Sequence, residues 1–412
     1  MKLETMKLET MKLETWTEEL RRWLDRSARE AGFESVGLAG VRDPQDPDAA
    51  QEAARYTAWV EAGRAGEMEY LKRRDEAGTL IRSGLRVAMP WARSVVVCAL
   101  NYNSNSNSNS EAPLSIDPAA PGTGWIARYA WSGRVRDDGT VIATDYHDEL
   151  LARLRLIEAE LLAQTACTTR CYVDTGPLVE RSLAAQAGVG WIGKNTCVLN
   201  QQLGSWLLLG IIVTSLPLDE PVAAMRASIP AADRCGTCTR CIDACPTGAL
   251  LGCGDPAAPR EMDATRCIAY LTIEKKGATD PGLRAQMGRQ VFGCDICQDV
   301  CPWNRRAPIA SHAGMQPRLE LVNPALEWLA AMDAREFKLR FKGSPLERTG
   351  RKRLLRNTAI AMGNSGDARF LPQLDAWAGI RTSDAPANDG DATDPVLREA
   401  AQWARARILA RR

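Results

Sequence analysis

The chain has 412 residues, a formal net charge of +1, and is 45% hydrophobic and 25% charged. It is too long for one core, so two to four domains of ordinary water-soluble composition are expected. The balanced charge excludes a global field that would drive the whole chain onto nucleic acid or membrane. No run reaches the roughly 18 uncharged apolar residues of a membrane helix, and the apolar stretch Trp206 to Ser215 is far shorter.

Residues 1–15 are Met-Lys-Leu-Glu-Thr written three times. A five-residue period fits neither a helix nor a coiled coil, so this segment reads as a disordered extension without chemistry. From Trp16 the pattern is that of an α/β domain. A charged amphipathic helix is expected over 17–31, a strand over Ser35 to Leu38, and a helix over Trp59 to Arg73. Ser94 to Leu100 reads as a buried strand. Asn103 to Ser110 alternates Asn and Ser and reads as a flexible surface loop. A strong helix follows over His147 to Gln164, then a short strand at Cys171 and a helix over Leu178 to Ala187. Trp206 to Thr214 is a second buried strand. Helices with apolar faces return at Arg351 to Met362 and Pro395 to Leu409. The first of these, ending near Gly363, resembles one arm of a HEAT-type hairpin.

Thirteen cysteines carry the strongest signal. The run Cys235-x2-Cys238-x2-Cys241-x3-Cys245-Pro246 has bacterial ferredoxin spacing, in which three close thiolates bind one [4Fe–4S] cluster and the fourth reaches the other. A second run, Cys294-x2-Cys297-x3-Cys301-Pro302, lacks its leading cysteine, with Val291 at that position. A substitute must come from Cys253 or Cys267. The reading assigns Cys235, Cys238, Cys241 and Cys301 to one cluster, and Cys245, Cys267, Cys294 and Cys297 to the other. A structural zinc site is the alternative use of C-x2-C pairs, but zinc needs no interlocked run of this kind. An odd cysteine count and an opening that reads as no secretory signal argue against disulfides and for a reducing cytoplasm. Cys98, Cys167, Cys171 and Cys197 read as buried apolar residues.

Gly188-Val-Gly190-Trp-Ile-Gly193-Lys194-Asn195 imitates both a dinucleotide fingerprint and a P-loop. The first should follow a strand, yet Leu178 to Ala187 reads as helix. The second needs Ser or Thr where Asn195 stands. The glycines are expected instead to let the backbone approach a large flat ligand. Between Arg335 and Arg356 lie nine Lys or Arg residues against two Glu. They read equally as a solvated face or as a phosphate-contact surface.

Several segments together resemble the epoxyqueuosine reductases of queuosine tRNA modification. They are Val173-Asp174-Thr-Gly-Pro-Leu-Val-Glu180-Arg181, the Gly188 to Asn195 turn, Cys235 to Leu250, Arg266-Cys267-Ile-Ala-Tyr-Leu-Thr-Ile-Glu274, and Phe292 to Asn304. The likeness runs over roughly residues 17–370. It implies an α+β multidomain protein in three parts. A cobalamin-binding α/β domain would span 16–228, a two-[4Fe–4S] ferredoxin-like domain 229–310, and a HEAT-like tRNA-binding region 311–412. It implies Cys267 over Cys253 as the extra ligand, Asp174 as proton donor, and Arg82, Asp174, Lys194 and Asn195 at the cobalamin. It further implies reduction of epoxyqueuosine to queuosine in a tRNA anticodon loop by a cytoplasmic monomer fed by an external low-potential electron donor. Asp174 then has to sit in an apolar, partly desolvated setting to hold its proton; the rival role for an Asp there is a helix N-cap. Asp145-x-His147-x-x-Leu150 lacks the glycine of the D-x-H-x-x-G motif that supplies a histidine to cobalt, so no such ligand is expected. Residues 132–144 depart from the family pattern as an insertion. The alternatives are another corrinoid iron–sulfur reductase, such as a reductive dehalogenase, whose usual twin-arginine signal is not seen, and a plain electron carrier. The carrier reading would leave some 210 residues before the cysteines without a task.

Overall fold

Four strands build the main sheet: β1 (Ser35–Gly40), β2 (Ser94–Asn101), β3 (Thr169–Tyr172) and β4 (Leu207–Thr214), in the order β1-β2-β4-β3. The computed structural model describes residues 12–104, 114, 115, 118, 120–227, 233–252, 260–380 and 393–411. Every neighbouring pair in the sheet is antiparallel, so the first domain is α+β in its strand pairing rather than the expected α/β.

Strand alternation sorts the side chains into two layers. On one face Leu38, Val96, Cys98, Leu100 and Ile212 pack against α1 (Glu18–Glu30) through Leu20 and Leu24. On the other, Val95, Val97, Ala99, Ile211 and Val213 form a separate core. A second helix, α2 (Pro47–Glu61), opens on Asp46, whose side chain accepts from the Asp48 and Ala49 N–H groups. The expected Trp59 to Arg73 helix is therefore misplaced. Its chain leaves the helix at Gly63 and Gly66, with φ of 73° and 57°. A Cβ on Gly66 would lie 2.4 Å from the Tyr270 hydroxyl, so this turn is fixed by the cluster module, far away in sequence.

The long helix α3 (Tyr146–Gln164) presents Leu150, Leu154, Ile157 and Leu161 to the first face at helical spacing. The short α4 (Glu180–Gln186) puts Leu183 and Ala184 on the second. Further on come α5 (Ala334–Phe341), α6 (Gly350–Ser365), α7 (Leu371–Ala378) and α8 (Pro395–Leu409). Helix α6 ends close to the expected place, running two residues past Gly363 to Ser365 and stopping at left-handed Gly366, with φ of 74°. Gly363 serves packing: its Cβ would stand 2.6 Å from the Ala404 Cα on α8.

One hydrophobic core crosses the expected domain limits. It takes in Trp125 and Trp131, Ile268 to Phe292, and Leu326 to Ile408. Strand Trp125–Ile126 pairs in parallel with Gln290–Phe292, and Asn357 on α6 donates to the Thr272 and Val291 carbonyls at 2.8 Å each. The 132–144 insertion is a hairpin of Ser132–Val135 and Val141–Ala143, anchored by Gln316–Pro317. Residues 1–11 and 105–110 lie outside the described residues. Of the expected disordered extension, Leu13 bridges to Thr165 beside α3. Asn103, expected on a surface loop, is buried, where its Oδ1 accepts from Arg128 at 3.0 Å. No helix among the described residues is long and apolar enough to cross a membrane.

Candidate active site and cluster module

Asp174 follows β3 with φ of 54°, a left-handed conformation uncommon outside glycine that Asp and Asn adopt more readily than other residues. The Tyr146 hydroxyl donates to its Oδ2, and His147 Nε2 lies 3.8 Å away. Tyr146 and His147 are held there because Asp145 caps α3: its Oδ1 accepts from the His147 N–H at 3.0 Å and lies 2.8 Å from Nδ1. Burial works against the Asp145 carboxylate, but the His147 hydrogen bonds and the Arg348 charge outweigh it and hold its pKa below the usual range. Arg348 also lies over the Tyr146 ring, 5.9 Å from its centroid. Asp174 is not an N-cap, since α4 begins only at Glu180. Nor does this chain alone supply the apolar enclosure expected of it, because its side chain is 56% exposed.

Arg82 donates to the Leu178 carbonyl at 2.9 Å and lies over Tyr70. Six residues beyond Asp174, Glu180 keeps a buried Oε1 with no hydrogen-bond partner. Burial first, then the charge of Asp174, pushes its pKa up to about 7.

A Cβ on Gly190 or Gly193 would collide with Leu199 of the turn's own hairpin, at 2.2 Å and 2.3 Å, so both glycines are needed for that close packing. Asn195 Oδ1 accepts from the Cys197 N–H, while its Nδ2 is buried without a partner. Lys194 points to the cysteine module, where its Nζ donates to the Gly236 carbonyl at 2.8 Å.

The fold brings the assigned cysteines together in two groups. Burial, then the sulfurs of Cys301, Cys235 and Cys238, pushes the Cys241 thiol up to about 12. Cys294 is raised by burial and then by Cys267 and Cys245. Cys297 is raised by its hydrogen bond with Cys197, by burial, and by Cys294 and Cys267. Among the described residues no three His, Cys, Asp or Glu side chains converge tightly enough for one metal ion. Cys253 lies outside the described residues. Cys98 is buried as expected, but Cys197 is no inert apolar residue, given its contact with Cys297.

The basic run divides. Arg335, Lys338, Arg340, Lys342 and Lys352 face solvent, with Phe337 and Phe341 turned inward. Arg356 is buried and structural. Sequence reasoning missed Tyr146, Arg348 and Glu180 around Asp174. Only the first had a local signal, the Asp145 cap that fixes its helix.

A family model described as "Epoxyqueuosine reductase QueG, DUF1730" matches residues 82–175, and a "4Fe-4S double cluster binding domain" model matches 234–304. The epoxyqueuosine reductase of Pseudomonas aeruginosa is 36% identical over 349 residues, 84% of this chain and 86% of that relative. The chain belongs to the epoxyqueuosine reductase family. A crystal structure of an epoxyqueuosine reductase with an epoxyqueuosine-modified tRNA-Tyr stem loop superimposes with a TM-score of 0.74 at 29% identity, over 95% of this chain and 90% of that one. Another, from Bacillus subtilis with its catalytic aspartate loop swung out of the active site, gives 0.73 at 29% identity, over 95% and 90%. As an epoxyqueuosine reductase the chain is an oxidoreductase, and it carries a 4Fe-4S double cluster binding domain.

Proposed function

We propose that this epoxyqueuosine reductase acts on the anticodon loop of tRNA, with Asp174 protonating the oxygen as the epoxide C–O bond opens. The net change takes two electrons and two protons, forms the alkene and releases water. The observation that carries this reading is the posture of Asp174: bonded by Tyr146 on one side, open on the other, and set on a left-handed turn. A relative whose catalytic aspartate loop swings out of its site is in keeping with such a turn.

Tyr146 orients the carboxyl, and Arg348 and Asp145 fix Tyr146 and His147 behind it. An incoming substrate would cover the exposed side of Asp174, exclude water and favour the protonated acid. The two cysteine groups, Cys235, Cys238, Cys241 and Cys301, and Cys245, Cys267, Cys294 and Cys297, would each hold a [4Fe–4S] cluster and pass on single electrons from an external donor. Cobalamin, when bound, supplies the low-potential electron chemistry that no side chain has. The unpartnered Asn195 Nδ2 suits an amide carbonyl of a corrin arm, and Arg82 beside the Asp174 loop would hold the same group. Lys194 is occupied elsewhere, at Gly236. The solvent-facing cations of α5 and Lys352, carried on the HEAT-like packing of α6 to α8, would meet the phosphate backbone. A cytoplasmic monomer remains part of this reading. The dehalogenase alternative lacks any feature here that favours it over the family's reaction.

The test uses anaerobically reconstituted protein, a strong reductant and tRNA bearing epoxyqueuosine, followed by nucleoside mass analysis. Loss of one oxygen is expected, dependent on added cobalamin and abolished in Asp174→Asn. Unchanged epoxyqueuosine with all cofactors loaded would refute the proposal.

A further inference from the structure

Lys194 is only 3% exposed although its side chain ends in an amine. Its Nζ donates to one backbone carbonyl, that of Gly236, and no carboxylate among the described residues pairs with it. A buried ammonium is strongly disfavoured unless a negative partner stands close. Gly236 lies between Cys235 and Cys238, and the turn that carries Lys194 packs on the same cysteine group: Trp191 and Leu199 form a small core with Cys301, against which Cys235 and Trp303 rest. The Asp233 carboxylate at the same turn accepts from the Cys235 N–H and is already paired with Arg260, which leaves the thiolates assigned there as the negative partners for Lys194 among the described residues.

We propose that Lys194 is the built-in counter-charge of the cluster held by Cys235, Cys238, Cys241 and Cys301, and that it holds that cluster's reduction potential up. This rests on the cluster assignment made above. Four thiolates leave a cluster net negative, and reduction adds one more negative charge. A fixed cation therefore stabilises the reduced form more than the oxidised one, and potential follows net charge and the hydrogen bonds around the sulfurs. The Gly236 carbonyl aims the ammonium, so its position does not depend on a mobile stem. In an electron relay this sets which cluster fills first. Lys194 is an electrostatic residue and not a ligand. The motif that imitates a nucleotide-binding loop would thus place its lysine against a different anion.

The experiment is an EPR-monitored redox titration of the reconstituted full-length protein, with iron and sulfide quantified, in wild type, Lys194→Gln and Lys194→Arg. Wild type must first take up two clusters; failure there sinks the cluster assignment, and the proposal with it. In Lys194→Gln one cluster should shift to a more negative potential while the other stays, and Lys194→Arg should lie near wild type. Unshifted potentials in fully loaded Lys194→Gln overturn the proposal. Should Lys194→Gln fail to retain iron, restoration of loading by Lys194→Arg supports the counter-charge, and equal loss in both variants overturns it.

Discussion

Arg356 sits in the densest run of cations in the chain but is only 1% exposed. Its Nη1 donates to the Lys275 and Gly277 carbonyls at 2.7 Å and 2.8 Å, and its Nη2 to the Leu271 carbonyl at 2.6 Å. Asn357 Oδ1 accepts from both Nε and Nη2. Burial, then the nearby charge of Arg353, pulls its pKa down to about 10, so it stays charged at neutral pH. Arg356→Ala strips a charged donor from three backbone carbonyls, a loss of roughly 3–5 kcal/mol once relief of the buried cation is counted. With an unfolding entropy of about 2 cal/mol/K per residue, 4 kcal/mol corresponds to a fall of about 5 °C in Tm for a chain melting as one unit. Thermal unfolding measures this directly, and amide hydrogen exchange should rise over residues 271–277. The exposed Lys338 is the contrast: Lys338→Ala should leave Tm unchanged while weakening tRNA binding and flattening its salt dependence by about one unit of slope. If Arg356→Ala melts with wild type and loses tRNA affinity instead, the separation of structural from phosphate-facing cations is wrong.

Three more outcomes follow from groups around the site. Burial pushes the Glu180 pKa up to about 7 in the folded chain from an ordinary 4.5, so the native state binds the extra proton and stability falls as pH rises between these values. Glu180→Gln should therefore gain on wild type across that window by up to about 3 kcal/mol in cofactor-free protein, and parallel denaturation curves at pH 4.5 and 7.5 would contradict this. The depressed pKa of Asp145 contributes stability above the unfolded value, and that contribution disappears as pH falls through the folded one. Asp145→Asn should cost about 1–2 kcal/mol at pH 7 and much less in acid, as read by urea denaturation. The hydrogen bond between Cys197 and Cys297 raises the Cys297 thiol in the metal-free chain; if Cys297 binds iron as a thiolate it can only accept, and the Cys197 thiol becomes the donor. Cys197→Ala would then remove about 1 kcal/mol of hydrogen bonding to that ligand, and because the bond is stronger to the more negative reduced cluster the second cluster's potential should fall, by at most about 40 mV for its single electron; a rise would reverse the assigned donor.

The elements that were legible in the sequence are those whose signal is local. Ser94 to Leu100 and Trp206 to Thr214 announce themselves by unbroken apolar runs, and Pro395 to Leu409 by its Asp394 cap, Pro395 and helical spacing. The Asp46-Pro47 start of α2 was equally local and was overlooked in favour of the aromatic stretch after it. What could not be read is what depends on remote partners. Gly66 turns because Tyr270 fills the space beside it, and Arg356 differs from Lys352 because the 271–277 carbonyls face one and solvent the other. The cysteine groups were assigned from spacing and resemblance, but the contact between Cys197 and Cys297 joins positions 100 residues apart. Asp174 could be named from its motif, whereas Tyr146 and Arg348 reach it from α3 and from the segment before α6.

The parallel pairing of Trp125–Ile126 with Gln290–Phe292 makes the cysteine module a poor cassette. Lifted out at 233–304, it would leave Val291 and Phe292 facing water and the Gln290 side chain without the Ser115 carbonyl it donates to at 2.6 Å. A foreign ferredoxin grafted in its place would have no strand with which to receive Trp125 and no carbonyls for Arg356 and Asn357. Redesign of the electron supply in this protein is therefore confined to single side chains around the cysteines, and the module and its host sheet must change together or not at all.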